Sequence, residues 1–227
     1  MSIVTRRSQH QAFAAGAFLR VVNWHNTLES ERRTLRAELA WYAERHDPVL
    51  PGDLDRLFET GQWGKSRPGL IPAFYDGYRN HATVAAPVCD ELGITAWFFP
   101  PTAFLEVPPE QQREYAEGHD IGLLAEESGQ PAFAMTWDDL ERISRRHVVA
   151  AHTANHVSDR EVTTAEDAER EVLEPVRRIE QATGTRPPAF AWCLGAPFDP
   201  SSPAGRAVVE AGIRYQVSNT AYQRIAD

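Results

Sequence analysis

Short apolar runs separated by longer stretches of helical periodicity constrain this chain more than any other feature of its sequence. The runs are Phe18–Trp24, Gly69–Phe74, Ala96–Phe99, His147–Ala151, Ala189–Trp192 and Tyr215–Ser218, mostly rich in β-branched and aromatic residues. Strands that far apart in sequence cannot pair through tight hairpins. Each must be reached by a crossover, and a helix-length crossover implies a mainly parallel sheet in an α/β fold.

The intervals supply those crossovers. Leu28–His46 carries Leu35, Leu39 and Tyr42 at helical spacing and stops before Asp47-Pro48, where proline cannot continue a helix. Gly52–Gly61 predicts a shorter helix, and Asn80–Leu92 another that ends at Gly93 and leads directly into a strand. Thr136 caps a helix beginning Trp-Asp-Asp-Leu, while Thr163–Thr183 is amphipathic throughout and ends at Gly184. The Pro-punctuated stretch Pro100–Pro131 reads as an excursion from the sheet, not as a linker. One domain over residues 1–227 is therefore expected.

Composition narrows the partners. With 42% hydrophobic residues in 227, the chain can bury a continuous core. A net charge of −9 without any Lys/Arg stripe argues against nucleic acid. Arg6-Arg7 followed by Ala12–Leu19 imitates an export leader, but Arg20 interrupts it and the run continues as a buried strand. No stretch is long enough to span a membrane, and a cytoplasmic protein is expected. Cys89 and Cys193 stand too far apart to imply a disulfide framework. The sequence sets no oligomeric state.

The chemistry concentrates at strand ends. His152-Thr-Ala-Asn-His156 follows Val148-Val-Ala-Ala151, placing both imidazoles at the C-terminal edge of a strand, where α/β proteins keep their sites. If the chain turns into a helix there, a spacing of four brings both rings to one side. A carboxylate is the natural third ligand to a divalent ion, because it adds negative charge and leaves a position for water. Asp76, at a strand-to-turn junction in Ala73-Phe-Tyr-Asp-Gly-Tyr78, is the candidate. By spacing alone the bland alternative stands level: two loop histidines and a capping aspartate.

These segments resemble the polysaccharide deacetylases of the NodB-homology type, carbohydrate esterase family 4, over most of the chain. Ala73-Phe-Tyr-Asp-Gly77 stands where the family has Thr-Phe-Asp-Asp-Gly, and His152-Thr-Ala-Asn-His156 satisfies the family's His-Ser/Thr-x-x-His. Phe190-Ala-Trp-Cys-Leu-Gly195 stands where the family has Phe-Arg-Pro-Pro-Tyr-Gly, and Leu92–Phe99 and Glu210–Ser218 also resemble family segments. The resemblance implies a distorted (β/α) barrel, here without the expected last elements. It implies Asp76, His152 and His156 as ligands to a divalent metal, zinc foremost, and hydrolysis of an acyl, typically acetyl, group from a sugar amide. It further implies an oxyanion donor in the Leu194 backbone N–H, and it places Tyr78 and Trp192 in the wall of the site. Trp192 has two readings, a ring stacked on substrate or core packing at a strand end.

Two departures bear on activity. Tyr75 occupies the position of the family's base, and a phenol, with an ordinary pKa of about 10, cannot act as a carboxylate does. No histidine follows His156, so the family's late acidic imidazole has no counterpart there. His25, His81 and His119 read as surface or strand-end residues with no assigned role. The leading expectation is a metal-dependent deacetylase of a sugar or another small amide. The alternatives are a silent relative binding carbohydrate or a partner through the same cleft, and a metal-free ureide hydrolase.

Overall fold

The computed structural model describes residues 19–127, 129–218 and 222–225. The leader-like residues Ala12–Phe18 lie outside them, as do Asn219–Ala221 in the last segment.

The strands are β1 (Leu19–Trp24), β2 (Asp47–Pro48), β3 (Gly69–Tyr75), β4 (Trp97–Phe99), β5 (Val148–Val149), β6 (Ala151–His152), β7 (Ala189–Ala191), β8 (Tyr215–Val217) and β9 (Tyr222–Arg224). They form a five-stranded sheet ordered β1-β3-β4-β5, with β2 also on β3, and a four-stranded sheet ordered β6-β7-β8-β9. Every pairing is parallel except β8 with β9, as the crossover argument requires. The expected strand His147–Ala151 is thus divided, with β5 in one sheet and β6 in the other. Ala150 joins them, donating its N–H to Phe98 O at 2.9 Å. The result is a distorted, open barrel: among the described residues β1 and β9 do not pair.

The helices are α1 (Arg32–Ala43), α2 (Pro51–Thr60), α3 (Ala86–Leu92), α4 (Gln112–Gly118), α5 (Trp137–Ser144), α6 (Ala165–Ala168), α7 (Glu174–Thr183) and α8 (Pro203–Glu210). Gly61, Gly93 and Gly184 close α2, α3 and α7 in the left-handed conformation that the sequence predicts for them. Two expected helices are not uniform. A π-turn, His81–Ala85, opens the segment that ends in α3, and another, Glu169–Leu173, divides α6 from α7.

Side-chain parity along the strands separates two apolar layers. Ile71, Ala73 and Tyr75 of β3, Trp97 and Phe99 of β4, and Ala189 and Ala191 of β7 share one cluster inside the barrel. Phe74, Phe98, Phe190 and Trp192 point the other way, into the larger cluster beneath the helices. Trp192 is 4% exposed and its Nε1 donates to Gln216 Oε1 at 3.2 Å. Its parity turns the ring toward the helices, the setting of the packing reading. Tyr78 is buried among Phe104, Ile121 and Phe133, and its hydroxyl donates to Gly122 O at 2.9 Å while also interacting with Asp76.

Candidate metal centre

Four strand ends meet at one rim of the barrel. β1 delivers His25, β3 delivers Asp76, β6 ends in His152, and β7 leads into Cys193 and Leu194. One ligand atom from each of Asp76, His152 and His156 lies within 4.8 Å of the others. The turn from His152 to His156 is not the helix the spacing suggested. The rings still converge, with centroids 5.0 Å apart, because His156 adopts φ 58°. Asp76 is left-handed as well, at φ 73°, and Gly77 follows at φ 67°. At Gly77 the neighbours are close: a Cβ would sit 3.1 Å from both Leu105 Cδ1 and Pro100 Cβ.

The surroundings of each group fix its charge. Burial pulls the His152 imidazole down to about 3, with repulsion from His156 adding to the effect. Burial opposes charge on His156 too, but its contacts with Asp76 and Cys193 and the His119 carbonyl raise it to about 10. Burial alone would raise Asp76, yet His156 outweighs it and holds the carboxyl below its ordinary range. With no ion bound, these surroundings would favour a carboxylate on Asp76, an imidazolium on His156 and a neutral imidazole on His152. His156 Nε2 lies 3.2 Å from Asp76 Oδ1, an ion-pair distance without hydrogen-bond alignment, and Oδ1 has no aligned donor. A buried carboxylate oxygen left in that state, facing two imidazoles, suits a cation better than a proton.

The backing of the ligands is built in. His156 Nδ1 donates to His119 O at 2.7 Å, which leaves Nε2 turned to Asp76. His152 Nδ1 lies 3.2 Å from Thr153 Oγ1, and donating its proton there would leave the Nε2 lone pair free for a ligand. Glu171, buried in the second π-turn, accepts from the Asn155 backbone N–H and from Asn155 Nδ2, both at 2.9 Å. That carboxylate therefore sets the turn between the histidines.

Tyr75 flanks the centre from inside the barrel. Its ring stacks on Phe99 at 4.8 Å and on His25 at 5.7 Å, and meets His152 edge-on at 6.3 Å. Burial, with Asp76 adding to it, drives the phenol far above its ordinary range, and its hydroxyl has no hydrogen-bond partner. Leu194 sits at the mouth, 91% exposed with φ 64°, beside Cys193, whose sulfur is 3.9 Å from His156 Nδ1.

The imidazoles that the sequence left without roles gather here. His25 is half-exposed, with Nε2 4.0 Å from Asp76 Oδ2. His81, fully buried, donates from Nε2 to the His25 carbonyl. His119 supports His156 through its carbonyl and stacks on Tyr115 at 3.9 Å. One signal was available for His25: it follows a strand directly, as Asp76 does.

Solved deacetylases share this architecture. A de-N-acetylase from Aggregatibacter actinomycetemcomitans superposes with a TM-score of 0.66 at 15% identity, over 92% of this chain and 91% of that one. IcaB from Ammonifex degensii gives 0.65 at 17% identity, over 88% and 83%. The BpsB deacetylase domain from Bordetella bronchiseptica gives 0.63 at 16%, over 88% of each chain. No functionally curated protein matches the sequence. The family model described as polysaccharide deacetylase matches residues 66–215, more than half of the sequence, and the chain belongs to that family.

Proposed function

We propose that this protein is a metal-dependent hydrolase that removes an acetyl group from the amide nitrogen of an N-acetylated amino sugar, releasing acetate and a free amine. The observation carrying this reading is the buried trio Asp76, His152 and His156, with Asp76 Oδ1 lacking an aligned donor. Two imidazoles and a carboxylate are a donor set for zinc, although other divalent ions accept it. A divalent ion held there supplies polarisation of the acetyl carbonyl and acidification of a water.

The chain's own residues supply the rest. Tyr75 stays protonated, so it acts as a neutral wall and not as a base. His25, solvent-accessible and next to Asp76, is the imidazole placed to hold the proton that the departing amine takes. The Leu194 N–H, on the exposed loop against His156, is assigned to the oxyanion.

Metal analysis of the purified protein tests the reading. One equivalent of a divalent ion is expected in the wild type, and a large loss is expected in both Asp76→Ala and His152→Ala. Deacetylation of an N-acetylglucosamine oligomer should fall with it. Wild type that binds no divalent ion on titration sinks the proposal.

A further inference from the structure

His25 owes its position to contacts that lie away from the metal trio. Beyond β1 the chain runs His25-Asn26-Thr27-Leu28 without regular structure, so the ring has Tyr75 of β3 to stack on but no sheet or helix ladder holds the backbone that carries it. A side-chain network does. Asn26 Nδ2 donates to Glu127 Oε2 at 2.6 Å, and Asn80 Nδ2 donates to Glu127 Oε1 at 3.3 Å and to Asn26 Oδ1. Asn80 Oδ1 accepts from the Thr27 backbone N–H at 3.1 Å and from its hydroxyl at 3.0 Å. His81 closes the set by donating to the His25 carbonyl.

Glu127 is the hub. It is 6% exposed, it also accepts from the Leu124 N–H at 2.8 Å, and no cationic side chain among the described residues pairs with it. A carboxylate buried among neutral donors stabilises the fold less than an apolar residue of its size would. What it does accomplish is geometric: both amide groups must turn Nδ2 toward it, which fixes Asn80 Oδ1 toward Thr27.

Resting on the proposed deacetylase reading, we infer that Glu127 is a positioning residue, which acts through Asn26 and Asn80 to hold His25 beside Asp76. The hub joins the loop after β1, the turn after Asp76 and the segment Leu124–Glu127.

The test is Glu127→Gln, which keeps the shape and replaces one acceptor oxygen with a donor. With an N-acetylglucosamine oligomer as probe, kcat is expected to fall about 10-fold, with KM and bound metal unchanged. In a His25→Ala background the same substitution is expected to change kcat by less than 2-fold, since its route runs through that imidazole. Equal effects in both backgrounds overturn the inference. The His25 ring resonance, assigned by its loss in His25→Ala, gives a readout free of turnover. It should shift and broaden in Glu127→Gln, and an unchanged resonance overturns the inference whether or not the protein deacetylates anything. If Glu127→Gln fails to fold, Asn26→Ala, which removes only the loop's end of the network, is expected to move the same resonance, and an unmoved one overturns the inference.

Discussion

At the scale of single residues, Tyr75 shows how position and chemistry separate. Its place in the sequence is that of a base, and its place in the barrel is beside the metal trio, yet the phenol sits in apolar surroundings that keep it protonated. Since the hydroxyl has no partner, Tyr75→Phe is expected to leave stability unchanged or raise it by up to about 1 kcal/mol in urea unfolding. A loss beyond about 1 kcal/mol would reveal a bond to the hydroxyl. Deacetylation should drop by less than 3-fold, because no proton passes through this oxygen. That Asp76, His152 and His156 come together was legible from strand ends and spacing only once the family resemblance was added to them. His25 offered only its place directly after a strand, because a lone histidine carries no spacing to read. The orientation of Trp192 was likewise hidden, since strand boundaries one residue apart reverse which face a side chain takes.

At the scale of elements, the two π-turns do the positioning that regular helices would not. Each widens a helix by one residue where it faces the centre, the first carrying His81 and the second Glu171. Glu171→Gln should keep the turn but weaken the Asn155 contacts, and metal affinity measured by chelator competition is expected to fall about 10-fold. Unchanged affinity would show that the turn between His152 and His156 holds its shape alone. Helix ends were legible because Gly61, Gly93 and Gly184 announce them. The π-turns were not: their extra residue alters hydrogen-bond register without changing the amphipathic pattern enough to notice. The short strand β2 was missed because Asp and Pro are poor strand formers, and only its pairing with β3 makes it one.

At the scale of the molecule, buried imidazoles set the response to acid. Burial lowers His81 to about 4 and also lowers His147 and His46. Unfolded imidazoles titrate near about 6.5, so between that pH and about 4 the unfolded chain binds protons that the folded chain refuses. Their contribution is complete above the unfolded value and is lost as pH falls through the folded one. The melting temperature of chelator-treated protein is therefore expected to decline steadily from pH 7 to pH 4.5. His147→Gln should flatten that decline, and an equal slope in wild type and variant would refute the assignment to buried histidine. The α/β class and the parallel order were legible from the alternation of runs and crossovers, and the distorted barrel from the family resemblance. The division at Ala150 was not, because it depends on which neighbour each half of one apolar run finds in space.

Asp76 and His156 both sit in left-handed backbone, and that restricts what can replace them. Asparagine tolerates this conformation nearly as well as aspartate, whereas a β-branched residue does not. On the proposed metal-dependent reading, Asp76→Asn is a single-step exit by which a lineage would lose the ion and keep the cleft intact. The same substitution separates the carboxylate's charge from its backbone, which alanine removes together.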